Sequence, residues 1–483
     1  MSNKGLGKFF WIGWTAAILW SLYRLLTNEA WILDDEIAHF LISADVWENP
    51  SELWHPWSRP GRNLLQFIPA HFGLTPARLW TLALAGLAIW LTGREGKRLG
   101  LKNLWILPLL VGFQWWFPEL SYPVLTQTPF MIVWIAGMFF AMRKKLILAA
   151  LCFGYLGLVR HEGLALTGLF GLWVIFAEDG FARHLTRGKW KEAASAFPHA
   201  VWIGAWTILP MVIMNIASGL TRGEWPVLMF FESKPTEMYG SGPLWLYCQH
   251  LATGAGFPIL ILLLIGALKK WKTVSWDLLL YATYPAYFIL HSVIYWKGLF
   301  ASGGYYHFIM PMAPFIGLVA LRGFNSIRPK LPNWGVALVL IAVIWTGLII
   351  PQQQFTVGDS HIDGMPPKAK SLKVIAPPLT QSRFGQGLKD AAAWLEETVD
   401  PDQEWLTHHA SIAFWNHQKT IGKELGAWDK HTPASLPSGT LLIWDAQYSV
   451  QESFQFSLEL LEETGWQEEK RWAHGTVRAY RKR

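Results

Sequence analysis

Leu33-Asp34-Asp35-Glu36-Ile37-Ala38-His39-Phe40 places three consecutive carboxylates directly after an apolar segment, Phe9 to Leu26. An ionised group at bilayer depth costs roughly 2.5–3.5 kcal/mol, so acids at a membrane exit are seldom idle. Held at such a face, they can take a proton from an acceptor hydroxyl or hold a cation beside a phosphate. The plainer reading is a solvated loop after an anchor.

Further polar residues interrupt apolar sequence. Val159-Arg160-His161-Glu162-Gly163 separates two segments, Leu146–Leu158 and Leu164–Ala177, each too short to span a bilayer comfortably. A pair of half-length helices running up and down would put Arg160, His161 and Glu162 at or just below one face, lining a wet cavity or paired with each other to hold the bend. Ala301-Ser302-Gly303-Gly304-Tyr305-Tyr306-His307-Phe308 opens a late helix, and N–H groups at a helix start suit an anion. His307 could donate to a phosphate there, with Tyr306 beside it and Lys297 on the preceding helix; an aromatic belt with a solvated histidine is the alternative. His291, mid-segment, reads as a satisfied packing residue. Arg59-Pro60-Gly61-Arg62 carries two guanidinium forks suited to a phosphate or sugar-diphosphate headgroup, or to interfacial snorkelling. Glu119 and Gln127 border a short loop without a sharper role.

The elements that must position these residues are membrane helices. Only 16% of the residues are charged and 52% are hydrophobic, against about 25% charged in ordinary soluble domains, so the chain groups with polytopic membrane proteins. The 31 tryptophans fit residues that collect at membrane–water boundaries. Two cysteines, both in apolar segments, give no disulfide framework or zinc spacing. The net charge of +7 comes from short basic clusters between apolar segments, which signals topology; no nucleic-acid partner is expected.

Eleven apolar segments are readable: 9–26, 76–93, 104–117, 126–142, 146–158, 163–177, 197–217, 243–267, 276–296, 308–321 and 334–350. Basic clusters fall at every second loop, which by the positive-inside rule puts the N-terminus in the cytoplasm and the C-terminal region outside. The acids at 34–36, Pro118–Gln127, Arg222–Gly242 and Ser302–His307 then share the outer face. Residues 351–383, rich in Pro, Gln, Ser and Gly, read as a linker. Beyond it, Leu388, Ala391, Trp394 and Leu395 repeat with helical period, Thr440–Trp444 reads as a buried strand, Phe454–Leu461 as a helix and Val477–Tyr480 as a last strand. The expected architecture is therefore a polytopic α-helical membrane protein over 1–350, with a small extracytoplasmic α/β domain over 384–483.

In motif order the chain resembles the GT-C superfamily of polytopic glycosyltransferases. The residues that carry the likeness are Asp34-Asp35-Glu36 after the first helix, Arg59-Pro60-Gly61 and Pro76-Ala77-Arg78-Leu79, then the loop Pro118 to Thr126. The run Gly154-Tyr155-Leu156-Gly157-Leu158-Val159-Arg160-His161-Glu162-Gly163 and the late step His307-Phe308-Ile309-Met310-Pro311 complete it. The order Asp35-Glu36-Ile37-Ala38-His39-Phe40 is similar to the first-loop pattern of protein O-mannosyltransferases, with one extra residue before the histidine. The whole is also similar to aminoarabinose transferases. The chain departs from the pattern at Gln127, where an acid is common, and at His307, where an arginine is more usual.

The resemblance implies inverting transfer of a sugar, mannose-like, from a polyprenyl-phosphate donor to a hydroxyl on a glycan, lipid or protein acceptor, outside a bacterial cytoplasmic membrane. Asp35 is the expected base, with Asp34 and Glu36 beside it. Arg160, His307 and Lys297 are expected at the leaving phosphate and Arg59 or Arg62 at the headgroup, with His161, Glu162 and Tyr306 also expected to bind substrate. No cofactor is obligatory; Mg²⁺ or Mn²⁺ on the acids is admissible. A multi-pass transporter or lipid flippase would use the same residues to line a pathway, but the two halves of the sequence show no inverted repeat.

Overall fold

The computed structural model describes residues 6–28, 34–177, 180–227, 241–269, 275–299, 303–348, 382–399, 405–416, 432–450 and 456–483. Its helices run α1 (Lys8–Thr27), α2 (Asp34–Asp45), α3 (Pro60–His71), α4 (Leu74–Arg98), α5 (Leu107–Gly112), α6 (Phe117–Leu120), α7 (Gln127–Ala141), α8 (Leu146–Val159), α9 (Gly163–Phe176), α10 (Phe181–Thr186) and α11 (Trp190–Arg222). They continue with α12 (Leu246–Ala255), α13 (Phe257–Ala267), α14 (Ser275–Lys297), α15 (Ala313–Ile327) and α16 (Asn333–Leu348). The chain falls into two compact units. The first holds Met1–Leu25, Trp54–Leu65 and Arg78–Ile350; the second holds Leu26–Leu53, Gln66–Ala77 and Pro351–Arg483.

Where they are described, the apolar segments fall largely on helix, as hydrocarbon requires of a backbone that must satisfy its own polar groups. Among the described residues, five helices are long and apolar enough to cross a membrane, and a sixth crossing arises if α12 and α13 count as one span. That pair is bent by 113° at Gly256, whose φ of +79° ends one helix while Pro258 opens the next. Four further apolar helices, α7, α8, α9 and α16, are shorter. Segment 104–117 breaks into a 3₁₀ turn (Leu104–Ile106) and α5, where Pro108, Gly112 and Pro118 punctuate the run. Long polar connections also turn out to be helical: the acids at 34–36 form the first turn of α2 rather than a loop, and α3 follows Arg59.

Within the second unit, the C-terminal residues build α17 (Arg383–Thr398), β1 (Trp405–Thr407), α18 (Ala410–Trp415), β2 (Leu441–Asp445), α19 (Leu458–Glu463), β3 (Trp466–Trp472) and β4 (Val477–Lys482). The sheet order is β1-β2-β4-β3. β1 is parallel to β2, and the other two pairings are antiparallel. All five residues of β2 are buried, because it is covered on both faces. Leu441 and Ile443 pack with Phe384, Leu388 and Leu395 of α17, while Leu442 and Trp444 pack with Leu461, Trp466 and Tyr480, the alternation expected of a strand. The segment read as a linker lies, up to residue 381, outside the described residues.

A candidate anion site at the α8–α9 turn

Arg160, His161 and Glu162 stand where α8 gives way to α9, a hairpin of two short apolar helices as the sequence implied. The crossing is close. A Cβ on Gly163 would lie 2.3 Å from the backbone of Leu156, so only glycine lets α9 start against α8. Arg160 leaves the helix in extended conformation (φ −154°, ψ 143°), and the N–H groups of Gly163 and Leu164 bond to the carbonyls of Arg160 and His161 at 2.9 and 3.0 Å. The turn is thus fixed by backbone before any side chain acts.

Arg160 is 9% exposed. Its Nη1 donates to Thr126 Oγ1 at 2.8 Å, its Nη2 to Glu162 Oε1 at 2.7 Å, and its guanidinium lies 4.7 Å from the centre of the Phe308 ring. Nε–H has no hydrogen-bond acceptor among the described residues. Burial would raise the Glu162 carboxyl, but the charge of Arg160, with that of His291, holds it below the usual carboxylate range. The reverse attraction outweighs burial at Arg160 and raises it above its ordinary value. The pair stays ionised.

Around it lie histidines and aromatic rings. His291 Nε2 is 3.6 Å from Glu162 Oε1, beyond hydrogen-bond length, and its ring stacks on Phe308 (5.5 Å, 22°). His291 is therefore packed, as expected, yet neither ring nitrogen has a hydrogen-bond partner among the described residues, a correction to its reading as a satisfied residue. His307 is 6% exposed, stacked on Tyr305 at 5.4 Å, and its Nδ1 makes no hydrogen bond among the described residues. It opens a 3₁₀ turn, Tyr306–Met312, instead of an α-helix. Pro311, lacking an N–H, and Gly303 and Gly304, both at positive φ, delay the regular helix until Ala313. His250 Nε2 lies 2.7 Å from the Gly304 carbonyl.

On the other side of the turn, Arg59 Nη1 approaches His161 Nε2 at 2.9 Å. Burial and then the charge of Arg59 push the His161 imidazole down to about 4, so at neutral pH its Nε2 accepts the bond. Arg59 has φ +68°, an uncommon conformation for a non-glycine residue. It is held by close packing of α3 on α8, where the Tyr155 hydroxyl donates to the Gly61 carbonyl at 2.6 Å. Arg62 is fully buried and tied to Ser58 and Asn63 inside the start of α3. Burial, then Arg222, Arg62 and Arg59, push His55 down to about 4.

The remaining candidates fall elsewhere. Lys297 is exposed at the end of α14, its ammonium over the ring of Trp296. Tyr306 is next to Trp115 and His250. Asp34, Asp35 and Glu36 belong to the second unit; Asp35 is exposed and Glu36 fully buried. Sequence reasoning missed Thr126 and Phe308 as partners of Arg160 and His291 beside Glu162, and it left Glu119 without a role. Glu119 makes a fully buried ion pair with Arg24 in the last turn of α1. The one available signal was the Tyr287–His291 spacing, which puts both on one face of α14.

What the turn offers is a buried guanidinium with an N–H uncommitted among the described residues, flanked by imidazoles and aromatic rings. That is an environment for an anion. No family model matches the sequence, and no curated protein matches it. Among solved structures the chain is similar over almost its whole length to ArnT from Cupriavidus metallidurans. The apo state aligns with TM-score 0.61 at 12% identity, covering 97% of both chains. The state bound to undecaprenyl phosphate aligns with TM-score 0.60 at 12% identity, covering 98% of both. The chain shares the fold of that protein. The α8–α9 turn is part of the first unit, and the α/β sheet belongs to the second.

Proposed function

We propose that this protein is an inverting glycosyltransferase that takes a sugar from a polyprenyl-phosphate donor and delivers it to an acceptor hydroxyl outside a bacterial cytoplasmic membrane. The observation that carries the reading is the buried Arg160 with its uncommitted Nε–H beside His291 and His307. The fold shared with ArnT, one structure of which holds undecaprenyl phosphate, supports the donor class.

The chemistry follows from residue types. The acceptor oxygen attacks the anomeric carbon as the bond from that carbon to the phosphate oxygen breaks, and the electron pair leaves on the phosphate. Arg160 offsets that charge and the histidine rings can donate hydrogen bonds to it, so no proton need be given to the leaving group. Asp35, exposed in the first turn of α2 with Asp34 and Glu36 adjacent, takes the acceptor proton. General-base help of this kind is worth about 10²–10⁴ in rate. His161 and Arg59 handle the sugar side of the phosphate.

The test is transfer from radiolabelled polyprenyl-phosphate-mannose, -glucose and -aminoarabinose by protein in nanodiscs, with a membrane extract as acceptor source. Wild type should label a product and name the sugar; Asp35→Asn should bind donor yet fail to transfer. Equal transfer by both removes Asp35 as base. EDTA should leave turnover intact; loss restored by Mg²⁺ or Mn²⁺ would move charge neutralisation to a metal on the acids. No transfer from any donor by folded protein would favour a transporter.

A further inference from the structure

The second unit joins two parts of the chain far apart in sequence, α2 and the C-terminal α/β domain. α2 carries Asp35 and Glu36 in its first turn. Phe40 lies one turn beyond Glu36 on the same helical face, with Ile37 (0% exposed) and Leu41 (3%) beside it. The Phe40 ring meets Phe414 of α18 edge to face, with centroids 5.9 Å apart and an interplanar angle of 77°. An aromatic pair of this geometry adds specificity to apolar burial.

α18 is in turn locked to the sheet. It follows β1 through His408 and His409, and His409 Nδ1 caps it by accepting from Ser411 N at 3.2 Å. His408 Nδ1 is 2.8 Å from Ser449 Oγ, which donates to Asp445 Oδ2 (3.3 Å) at the end of β2. Asp445 also accepts from the N–H groups of Gln447 and Tyr448 at 3.0 and 2.7 Å. These side chains are all but fully buried, so the carboxyl ends of the two parallel strands hold α18 in one direction. Sheet, α18 and α2 form one connected train.

We propose that the C-terminal domain is a positioning element for the acids of α2, acting through Phe414 on Phe40. This rests on Asp35 acting as the base. Phe414 touches neither donor nor reacting atoms; its work is to fix the angle of the helix that presents the carboxylate. A base displaced by about 1 Å can lose on the order of a hundredfold in rate.

The test uses the full chain in nanodiscs. Phe414→Ala should lower kcat about ten- to a hundredfold while donor KM stays near wild type. It should also speed hydrogen exchange in the amides of α2. Phe414→Leu, which refills the contact, should recover most of the kcat and the slow exchange. Phe40→Leu serves as the second probe if the alanine variant does not fold, and should resemble Phe414→Leu. Wild-type kcat in Phe414→Ala, or reduced kcat with exchange in α2 unchanged, overturns the proposal. Asp35→Asn separates the two layers. If that variant transfers normally, the base assignment has failed, and exchange in α2 alone then judges whether Phe414 fixes the helix.

Discussion

Replacing Arg160 by lysine keeps a positive charge opposite Glu162 but removes the fork. The arginine bonds Thr126 at 2.8 Å and Glu162 at 2.7 Å with separate nitrogens, stacks over Phe308 at 4.7 Å, and still has Nε–H to offer. A single ammonium cannot hold all those directions. Losing one charge-assisted bond to a ligand phosphate costs roughly 1.5–3 kcal/mol, which is about a 10- to 150-fold rise in Kd. Folding should be nearly unaffected, because Glu162 stays paired; truncation to alanine would instead strand a buried carboxylate at about 3–5 kcal/mol. The assay is titration of undecaprenyl phosphate into nanodisc-held protein, read by tryptophan fluorescence, with a melting curve for each variant. Affinity indistinguishable from wild type, with an unchanged melt, would refute the assignment of Arg160 to the phosphate.

Two other outcomes test the surroundings. Gly163→Ala sets a methyl 2.3 Å from the Leu156 backbone and should destabilise by about 1–3 kcal/mol while also weakening undecaprenyl phosphate binding. Full binding by that variant would separate the turn from the site. Asp45 is 3% exposed, and burial, then Glu52 and Glu48, push its carboxyl from 3.8 up to about 6. The folded state therefore holds this proton more tightly than the unfolded one. Its contribution favours folding below pH 3.8 and is lost as pH rises through about 6. Asp45→Asn should raise the melting temperature at pH 7.5, by about 1–3 kcal/mol of stability, and leave it unchanged at pH 3.5. An equal shift at both would show that charge is not the cause.

The membrane helices were legible because hydrocarbon imposes one solution on an apolar run, and the described parts of the apolar segments are largely helical. The α8–α9 hairpin was legible because Arg160-His161-Glu162 interrupts such a run. Less was visible where polar sequence folds. α2 and α3 owe their form to tertiary burial: Ile37, Phe40 and Arg62 are buried although their segments carry many polar residues. β2 and β4 showed through as apolar runs, whereas β3, Trp466-Gln467-Glu468-Glu469-Lys470-Arg471-Trp472, is an edge strand with charged side chains outward and gives no strand pattern. Apart from Glu162, the partners of Arg160 are Thr126, just before α7, and Phe308 of the 3₁₀ turn at Tyr306–Met312, and no local spacing announces contacts between residues so far apart in sequence.

Phe40 and Phe414 meet across roughly 370 residues of chain, which at 5–20 residues per second is on the order of 20–75 seconds of synthesis. For that interval α2 exists without α18. Its Ile37, Phe40 and Leu41 face must be sheltered by lipid headgroups or a chaperone until the last quarter of the protein emerges. A nonsense mutation or proteolytic loss before Phe414 would leave that face permanently open, marking the truncated chain for quality control even with every membrane helix in place.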